Sequence, residues 1–237
     1  MRATLTFPII WIGALYTPGL MSSANANPIN IFNTGVNNSG FALAAGDIDP
    51  HYVLVSTSAG FSPTFVVNPG GPVSPSGPWV ANSSASQWIA PAADQTSYST
   101  LGEYDYRITF DLAGLNPNTA VLDGLWSSDN EGVIDLNGSA TANIIGSTTY
   151  SSLTPFSVTG GFVPGINTID FVVTNDVCPA CFAGNPTGLN VDFTQATASP
   201  VSSIPEPLAL ALLGVGLAGL GWVRRPPSLQ ETAPNPS

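Results

Sequence analysis

Residues 103 to 112, Glu-Tyr-Asp-Tyr-Arg-Ile-Thr-Phe-Asp-Leu, alternate polar and apolar side chains without a break. Successive side chains of a β-strand point to opposite faces, so this alternation separates a buried face from an exposed one. The apolar face is formed by Tyr104, Tyr106, Ile108, Phe110 and Leu112. The polar face is formed by Asp105, Arg107, Thr109 and Asp111. The stretch predicts a half-buried antiparallel strand. On its solvent face, Arg107 stands between two aspartates and is expected to be neutralised through cross-strand or diagonal pairing.

Further strands are predicted on both sides of this one. Strong alternation marks Ile166 to Thr174 and Leu189 to Thr194. Weaker candidates are Tyr52 to Ser56, Thr64 to Val67, Ala120 to Trp126, Val133 to Leu136 and Thr154 to Val158. Asn137-Gly138 is a hairpin-turn signal that follows one of them. Short strands separated by Gly, Pro and Asn predict an all-β fold, an antiparallel β-sandwich or jelly roll.

The charge balance excludes one class of partner. The chain has a net charge of -11, no lysine and four arginines, and only Arg107 lies in the middle of the chain. Acidic residues recur from Asp47 to Asp192. Such a surface repels a phosphate backbone, so no nucleic acid is expected as a partner.

The N-terminus has the layout of a secretory signal peptide. Arg2 precedes an apolar run from Leu5 to Leu20, and Ala24-Asn25-Ala26 fits a small-residue cleavage site. The alternatives are a buried helix or a retained anchor, against which Pro8 and Pro18 argue. We therefore predict a signal peptide over residues 1–26 and a β-sandwich ectodomain over residues 27–200.

The C-terminus predicts a single transmembrane helix. The uncharged stretch from Leu208 to Val223 would span about 24 Å as a helix, a little less than a typical hydrocarbon core. Arg224 and Arg225 would stay on the cytoplasmic side, which leaves the β domain outside. We assign residues 201–227 to a sorting and membrane segment and residues 228–237 to a short polar tail.

The order of three elements in this segment carries a family resemblance. Pro205-Glu206-Pro207, a Leu/Gly/Ala-rich span and the pair Arg224-Arg225 resemble the PEP-CTERM sorting signal. The resemblance implies an exported protein at the cell envelope and processing by an exosortase-type membrane enzyme. It also implies an association with exopolysaccharide and biofilm. Residues 226 to 237 extend beyond the usual end of that signal, and a plain single-pass anchor is the alternative.

Two stretches of the middle region contain candidate ligand-binding residues. The first includes Trp79 and Trp88, and the second runs from Leu125 to Gly138. The second resembles galactose-binding-like jelly-roll modules, which implies carbohydrate binding. The candidate residues for contact with a sugar are Trp79, Trp88, Trp126, Asp129, Asn130, Glu131 and Asn137. Alternatively, the Trp rings belong to the core, and residues 129–131 form a turn or supply Asp129 and Glu131 as calcium ligands.

Cys178 and Cys181 stand in a Cys-Pro-Ala-Cys loop between two predicted strands. A thioredoxin-like motif needs a strand-to-helix junction, and a zinc site needs two more ligands nearby. In an exported chain, we expect the pair to form a small loop-closing disulfide.

No sequence motif indicates catalysis. The chain has one histidine, His51, and lacks Gly-x-Ser-x-Gly and P-loop patterns. We therefore expect a non-catalytic protein that needs no cofactor other than calcium, if the calcium interpretation holds. The expected function is binding of extracellular polysaccharide. The alternatives are a structural matrix component without a discrete ligand and a polysaccharide hydrolase.

Overall fold

The computed structural model describes residues 25–57, 62–67, 79–94, 101–177, 185–201 and 212–217. The chain divides into two compact units, Met1–Pro200 and Val201–Ser237. Several predictions lie outside the described residues. They concern residues 1–24 of the signal peptide, the pair Cys178 and Cys181, and the sorting residues Pro205, Glu206, Pro207, Arg224 and Arg225.

The strands of the first unit are numbered along the chain. They are β1 (Asn27–Pro28), β2 (Ile48–Thr57), β3 (Ser62–Val66), β4 (Ile89–Ala90), β5 (Gly102–Asp111), β6 (Val121–Asp129), β7 (Glu131–Leu136), β8 (Ser139–Ile145), β9 (Thr154–Val158), β10 (Ile166–Asn175) and β11 (Gly188–Ala198). Two short 3₁₀ helices cover Pro117–Thr119 and Thr149–Ser151.

All paired strands in the described part of the chain are antiparallel. The order is β8-β7-β10-β5-β2-β3-β4-β11-β6-β9, and β1 pairs with β11. The two halves of this path face each other across an aromatic core. Phe171 of β10 contacts Trp126 of β6, Phe156 of β9 and Phe193 of β11, with ring centroids 5.6, 6.1 and 6.5 Å apart. The prediction of an all-β antiparallel fold is confirmed, and the jelly-roll connectivity stays a prediction.

Strand β5 follows the alternation read from the sequence. Tyr104, Tyr106, Ile108 and Phe110 are buried, and β5 pairs along its whole length with β10. On the opposite face, Arg107 lies directly across from Asp170 of β10. Its Nε and Nη2 donate to the two oxygens of Asp170, over 2.6 and 2.8 Å. The predicted neutralisation of Arg107 is therefore confirmed, with a cross-strand carboxylate as partner.

The second unit has few described residues. Residues 212–217 are helical and exposed. Among the described residues, none of the helices combines the length and the apolar character that a membrane span requires. The remaining residues of the predicted span, 208–211 and 218–223, lie outside the described part of the chain.

Candidate functional site

A surface groove of about 440 Å³ lies beside the C-terminal half of β11. Its walls come from the segment after β1, from Ala85, and from Phe193 and Ala196 of β11. The polar side chains that line it are Asn30, Asn33, Asn38 and Ser39, and the aromatic ones are Phe32 and Phe193. None of the described lining residues carries a charge.

Asn33 fixes the geometry of this groove. Its Nδ2 donates to the Ala85 carbonyl over 3.0 Å and to Asp192 Oδ1 over 2.8 Å. Its Oδ1 accepts from the Phe193 amide over 2.7 Å. One side chain therefore joins three chain segments. Both ends of its amide are used, so Asn33 positions the groove instead of offering hydrogen bonds to a ligand.

The base of the groove is held by buried polar groups. Thr34 Oγ1 donates to the Gln87 carbonyl over 2.7 Å, and Gln87 Nε2 donates to the carbonyls of Gly35 and Leu43 over 2.6 and 2.9 Å. The buried Asp49 carboxylate accepts from the Gly35 amide over 2.6 Å. Residue 35 must be glycine, because its φ is +71° and a Cβ there would lie 2.5 Å from Gln87 Cβ.

A tight loop forms the rim of the groove. Val36 and Ala42 pair across it, and the Asn37 amide donates to the Phe41 carbonyl over 2.8 Å. Asn37 Oδ1 accepts from the amides of Ser39 and Phe41 over 2.9 and 3.1 Å. These bonds order the tip and leave the Phe41 side chain 71% exposed, next to the lining residue Gly40.

The groove combines two chemical capacities. Asn30, Asn38 and Ser39 are exposed, so their amide and hydroxyl groups are accessible to a polar ligand. Phe41 follows the lining residue Gly40 along the chain and offers an exposed aromatic surface. A sugar ring has both an apolar C–H face, which packs on an aromatic plane, and hydroxyl groups that exchange hydrogen bonds with amides.

The three tryptophans predicted from the sequence as sugar platforms lie in the interior instead. Trp79, Trp88 and Trp126 are 6%, 0% and 1% exposed. Trp79 and Trp88 stack on each other at 4.2 Å, and Trp88 Nε1 donates to the Val80 carbonyl over 2.8 Å. Burial does not favour the platform interpretation for these rings, and their contact with a sugar stays a prediction. The alternative, that they are core residues, fits them.

Asp129 is also turned inward. Its Oδ2 accepts from Trp79 Nε1 and its Oδ1 from Asn130 Nδ2, both over 2.8 Å. Burial raises its pKa to about 6, although the bond from Trp79 opposes that rise. Asn130 Oδ1 accepts from the Asp176 amide over 2.8 Å, whereas Glu131 is exposed. This stretch is a structural connection between β6 and β7, and contact of Asp129 with a sugar is not favoured.

Asn137 closes the hairpin between β7 and β8. It has a φ of +51° and is followed by Gly138 at +75°, as the Asn-Gly turn requires. Its Nδ2 donates to the Gly161 carbonyl and to Asn167 Oδ1, and its Oδ1 accepts from the Thr168 amide. These bonds use the amide for structure, so the structure does not favour Asn137 as a sugar contact.

No cluster of three or more His, Cys, Asp or Glu side chains suited to a metal ion occurs within the described ranges. A calcium ion at Asp129 and Glu131 would compete with the two bonds that Asp129 already accepts. The arrangement therefore gives no support to the calcium interpretation.

A second groove of about 300 Å³ separates β8 from β9. It is lined by small and polar residues such as Thr141, Asn143 and Ser157. Asn143 bridges the two strands, because its Nδ2 donates to the Ser157 carbonyl and its Oδ1 accepts from the Ser157 amide. The described lining of this groove has neither a titratable nor an aromatic side chain, so it offers less to a sugar than the first groove.

Carboxylates with raised pKa values are not among the described lining residues of either groove. Burial is the main cause for Asp49, Asp105 and Asp135, and it raises the pKa of Asp105 to about 6. Asp105 and Asp135 share the outer face of β5 and β7 with Arg107. None of these groups is among the described lining residues of either groove, where a general acid or base would have to meet a substrate.

The fold and the groove define an all-β antiparallel protein with an uncharged surface cleft. Residues 203–225 match the PEP-CTERM protein-sorting motif, so the chain carries this motif at its C-terminus. The motif implies that the protein is exported and anchored to a membrane through that end. No curated protein matches the chain.

One similar solved structure is that of a family 35 carbohydrate binding module from an environmental isolate. It shares 14% identity with this chain, and the match covers 46% of this chain and 77% of that one, with a TM-score of 0.26. Neither value is high enough to assign a ligand to this protein.

Proposed function

We propose that this protein is an exported, membrane-anchored, non-catalytic protein that binds extracellular polysaccharide in the groove beside β11. The sorting motif over residues 203–225 supports the location. By its resemblance to other sequences with that motif, an exosortase-type enzyme processes the C-terminal segment. The observation that carries the binding proposal is the groove itself, with its exposed amides, together with the exposed Phe41 that follows the lining residue Gly40 along the chain.

Preorganisation supports this assignment. The hydrogen bonds of Asn33 and Gln87 fix the groove walls before a ligand arrives, so little ordering cost remains for binding. The volume of about 440 Å³ lies within the range usual for ligand sites. The groove is open to solvent, so it can hold one part of a longer polymer without enclosing the rest.

The non-catalytic part of the proposal is supported by the positions of the titratable groups. Glycoside hydrolysis uses two carboxyl groups that flank the scissile bond. Neither groove has a carboxylate among its described lining residues. The carboxyl groups with raised pKa values serve packing and strand pairing instead.

The test is Phe41→Ala in the full-length protein, purified in a detergent without a sugar headgroup. Truncation of an aromatic anchor typically costs on the order of 1–2 kcal/mol, so we expect roughly 5- to 30-fold weaker binding to the polysaccharide that the unmodified protein retains. Because Phe41 is 71% exposed, the stability should be unchanged. Binding is measured by biolayer interferometry on a panel of immobilised polysaccharides, with and without calcium.

Ile144→Ala is the matched control, since Ile144 is 68% exposed and lies on β8, away from the groove lining. Its binding should equal that of the unmodified protein. If no polysaccharide binds saturably, or if both variants bind equally well, the binding proposal fails. The structural matrix role would then be the better account.

A further inference from the structure

We infer that the groove recognises an uncharged polysaccharide and discriminates against polyanionic ones. This inference rests on the proposed function, because it names the ligand class of the same site. The chain has a net charge of -11, whereas the described residues that line the groove are all uncharged.

A polyanionic sugar would find no cation among the described residues that line the groove. Arg107 is the arginine of the β domain, and both oxygens of Asp170 engage it on the outer face of β5 and β10. His51 stacks on Phe32 at 3.8 Å with its Nε2 buried, so the atom is not presented to a ligand. A uronate or sulfate group would lose its hydration without gaining an ion pair.

The nearest described carboxylates add repulsion. Asp192 is held by Asn33 at the groove wall, with Oδ1 2.8 Å from Asn33 Nδ2. Asp49 lies beneath the floor, where it accepts from the amides of Gly35, His51 and Tyr52. Both contribute to the negative potential around the groove, which repels an anionic ligand.

For an amino-bearing sugar, the described lining residues supply no carboxylate with which to form an ion pair. Asp192 Oδ1 is engaged by Asn33 and Asp49 is buried, with 2% of its surface exposed. Amino groups would be attracted to the acidic surface as a whole, where such contacts are weak and screened by salt. Hydrogen bonds from Asn30, Asn38 and Ser39, together with packing on Phe41, suit uncharged hydroxyl-bearing rings.

The experiment compares three polymer classes on the full-length protein: neutral glucan, mannan and galactan, a polyuronate, and an amino-bearing glucosamine polymer. Binding is measured at about 20 mM and about 300 mM NaCl, where the screening length differs severalfold. We expect at least one neutral polymer to bind with an affinity that changes less than about twofold with salt and that falls in Phe41→Ala. The polyuronate should not bind.

Asn38→Lys adds a gain-of-function arm. Asn38 is exposed in the groove lining, so the substitution places one cation there without disturbing the fold. It should produce polyuronate binding at low salt that is lost at high salt. Binding of the amino-bearing polymer, where present, should be unaffected by Phe41→Ala and should disappear at high salt.

The outcomes separate the inference from the proposed function. Phe41-dependent binding of a charged polymer with no neutral polymer bound overturns the inference and leaves the proposed function standing. Polyuronate binding by the unmodified protein that matches the neutral polymers also overturns the inference. If no polymer shows Phe41-dependent binding, both the proposed function and the inference fail.

Discussion

Asp129 connects the chemistry of one carboxyl group to the stability of the fold. It is 7% exposed, and it holds Trp79 against Trp88 through the bond to Trp79 Nε1. Burial raises its pKa to about 6 from an ordinary value of 3.8. When folding raises the pKa of a carboxyl group, the group stabilises the folded state fully at a pH below its pKa in the unfolded chain. That stabilisation is lost as the pH increases through its pKa in the folded protein.

The first prediction is that Asp129→Asn weakens the pH dependence of unfolding. As pH increases from about 4 to about 7, the raised pKa of Asp129 should lower the free energy of unfolding of the unmodified protein by up to about 3 kcal/mol. The variant lacks this carboxyl group, so it should not show this loss. Asp105 has a pKa of about 6 as well, so part of the dependence remains. Urea denaturation at several pH values measures the effect.

The exposed Asp176 provides the control for this prediction. Asp176→Asn should retain the pH dependence of the unmodified protein. A slope in Asp129→Asn equal to that of the control would show that Asp129 does not titrate in this range.

Residue roles were harder to predict than residue burial. Trp126 lies on a predicted strand, and alternation along that strand was compatible with burial. Trp79 and Trp88 lie outside the strands, so periodicity held no information about them. Their burial depends on a second small core with Val67 and Ala90, which forms only when distant segments meet.

Strand β5 supplies the clearest case at the scale of elements. Arg107 faces Asp170 of β10, and Asp170 faces Asp135 of β7, while Asp105 lies two residues along β5. Repulsion from Asp170 contributes to the raised pKa values of Asp105 and Asp135, and Arg107 opposes it for Asp105. The Arg107 guanidinium therefore offsets part of the repulsion between the carboxylates that β5, β7 and β10 place next to each other on this face.

The second prediction is that Arg107→Gln destabilises the protein by about 2 kcal/mol near pH 7.5, because it leaves a carboxylate that is 4% exposed without its ionic partner. The loss should shrink near pH 5, because Asp105 has a pKa of about 6, takes up a proton there and no longer repels Asp170. Chemical denaturation at the two pH values measures it.

The double variant Arg107→Gln with Asp170→Asn tests the coupling between the two residues. It should recover part of the lost stability, because it removes the unpaired charge together with its partner. Equal losses in the single variant at both pH values would contradict the electrostatic explanation.

The turn between β7 and β8 gives the third prediction. Asn137→Ala removes three hydrogen bonds and places alanine, which disfavours left-handed backbone, at a φ of +51°. The substitution should lower the free energy of unfolding by about 2–4 kcal/mol. Asn137→Gly loses the same bonds but accepts the backbone conformation, so it should cost about 1 kcal/mol less. Thermal or urea unfolding of both variants measures the difference, and equal losses would show that the backbone is not strained.

Most elements could be predicted because their cause is local. β5, β9 and β10 match their predicted ranges closely, because the alternation of polar and apolar residues that defines each strand is visible in the sequence. β8 was not predicted, although the Asn-Gly turn before it indicated a hairpin. Its Ser, Ala, Thr and Asn side chains are small and mostly exposed, so they lack an apolar face.

The groove is a feature of the whole molecule, and no pattern in the sequence predicted it. It joins residues near position 30 with Ala85 and with Phe193 of β11. These segments are far apart along the chain and meet only after the strands have paired. The sorting motif was readable for the opposite reason, since its elements are contiguous between residues 203 and 225.

The fourth prediction concerns the sorting motif. Glu206→Gln should reduce the amount of protein displayed at the cell surface, because it changes the charged residue of the Pro-Glu-Pro sequence. Protease accessibility on intact cells and cell fractionation measure the display. Glu231→Gln, outside the matched range, is the control and should behave as the unmodified protein. Equal display of the two variants would count against exosortase recognition of Glu206.

Strand β1 lies beside the last residues of β11, with Asn27 opposite Ala198 and Pro28 opposite Thr197. The groove uses Asn30 and Ala196 from this same corner, and the chain leaves the domain at Pro200. A polymer bound in the groove and an attachment beyond residue 200 would therefore both apply force to the domain at this corner, near the end of β11. Tension between them would pass through a few residues of β11, and the remaining strands would be spared mechanical load.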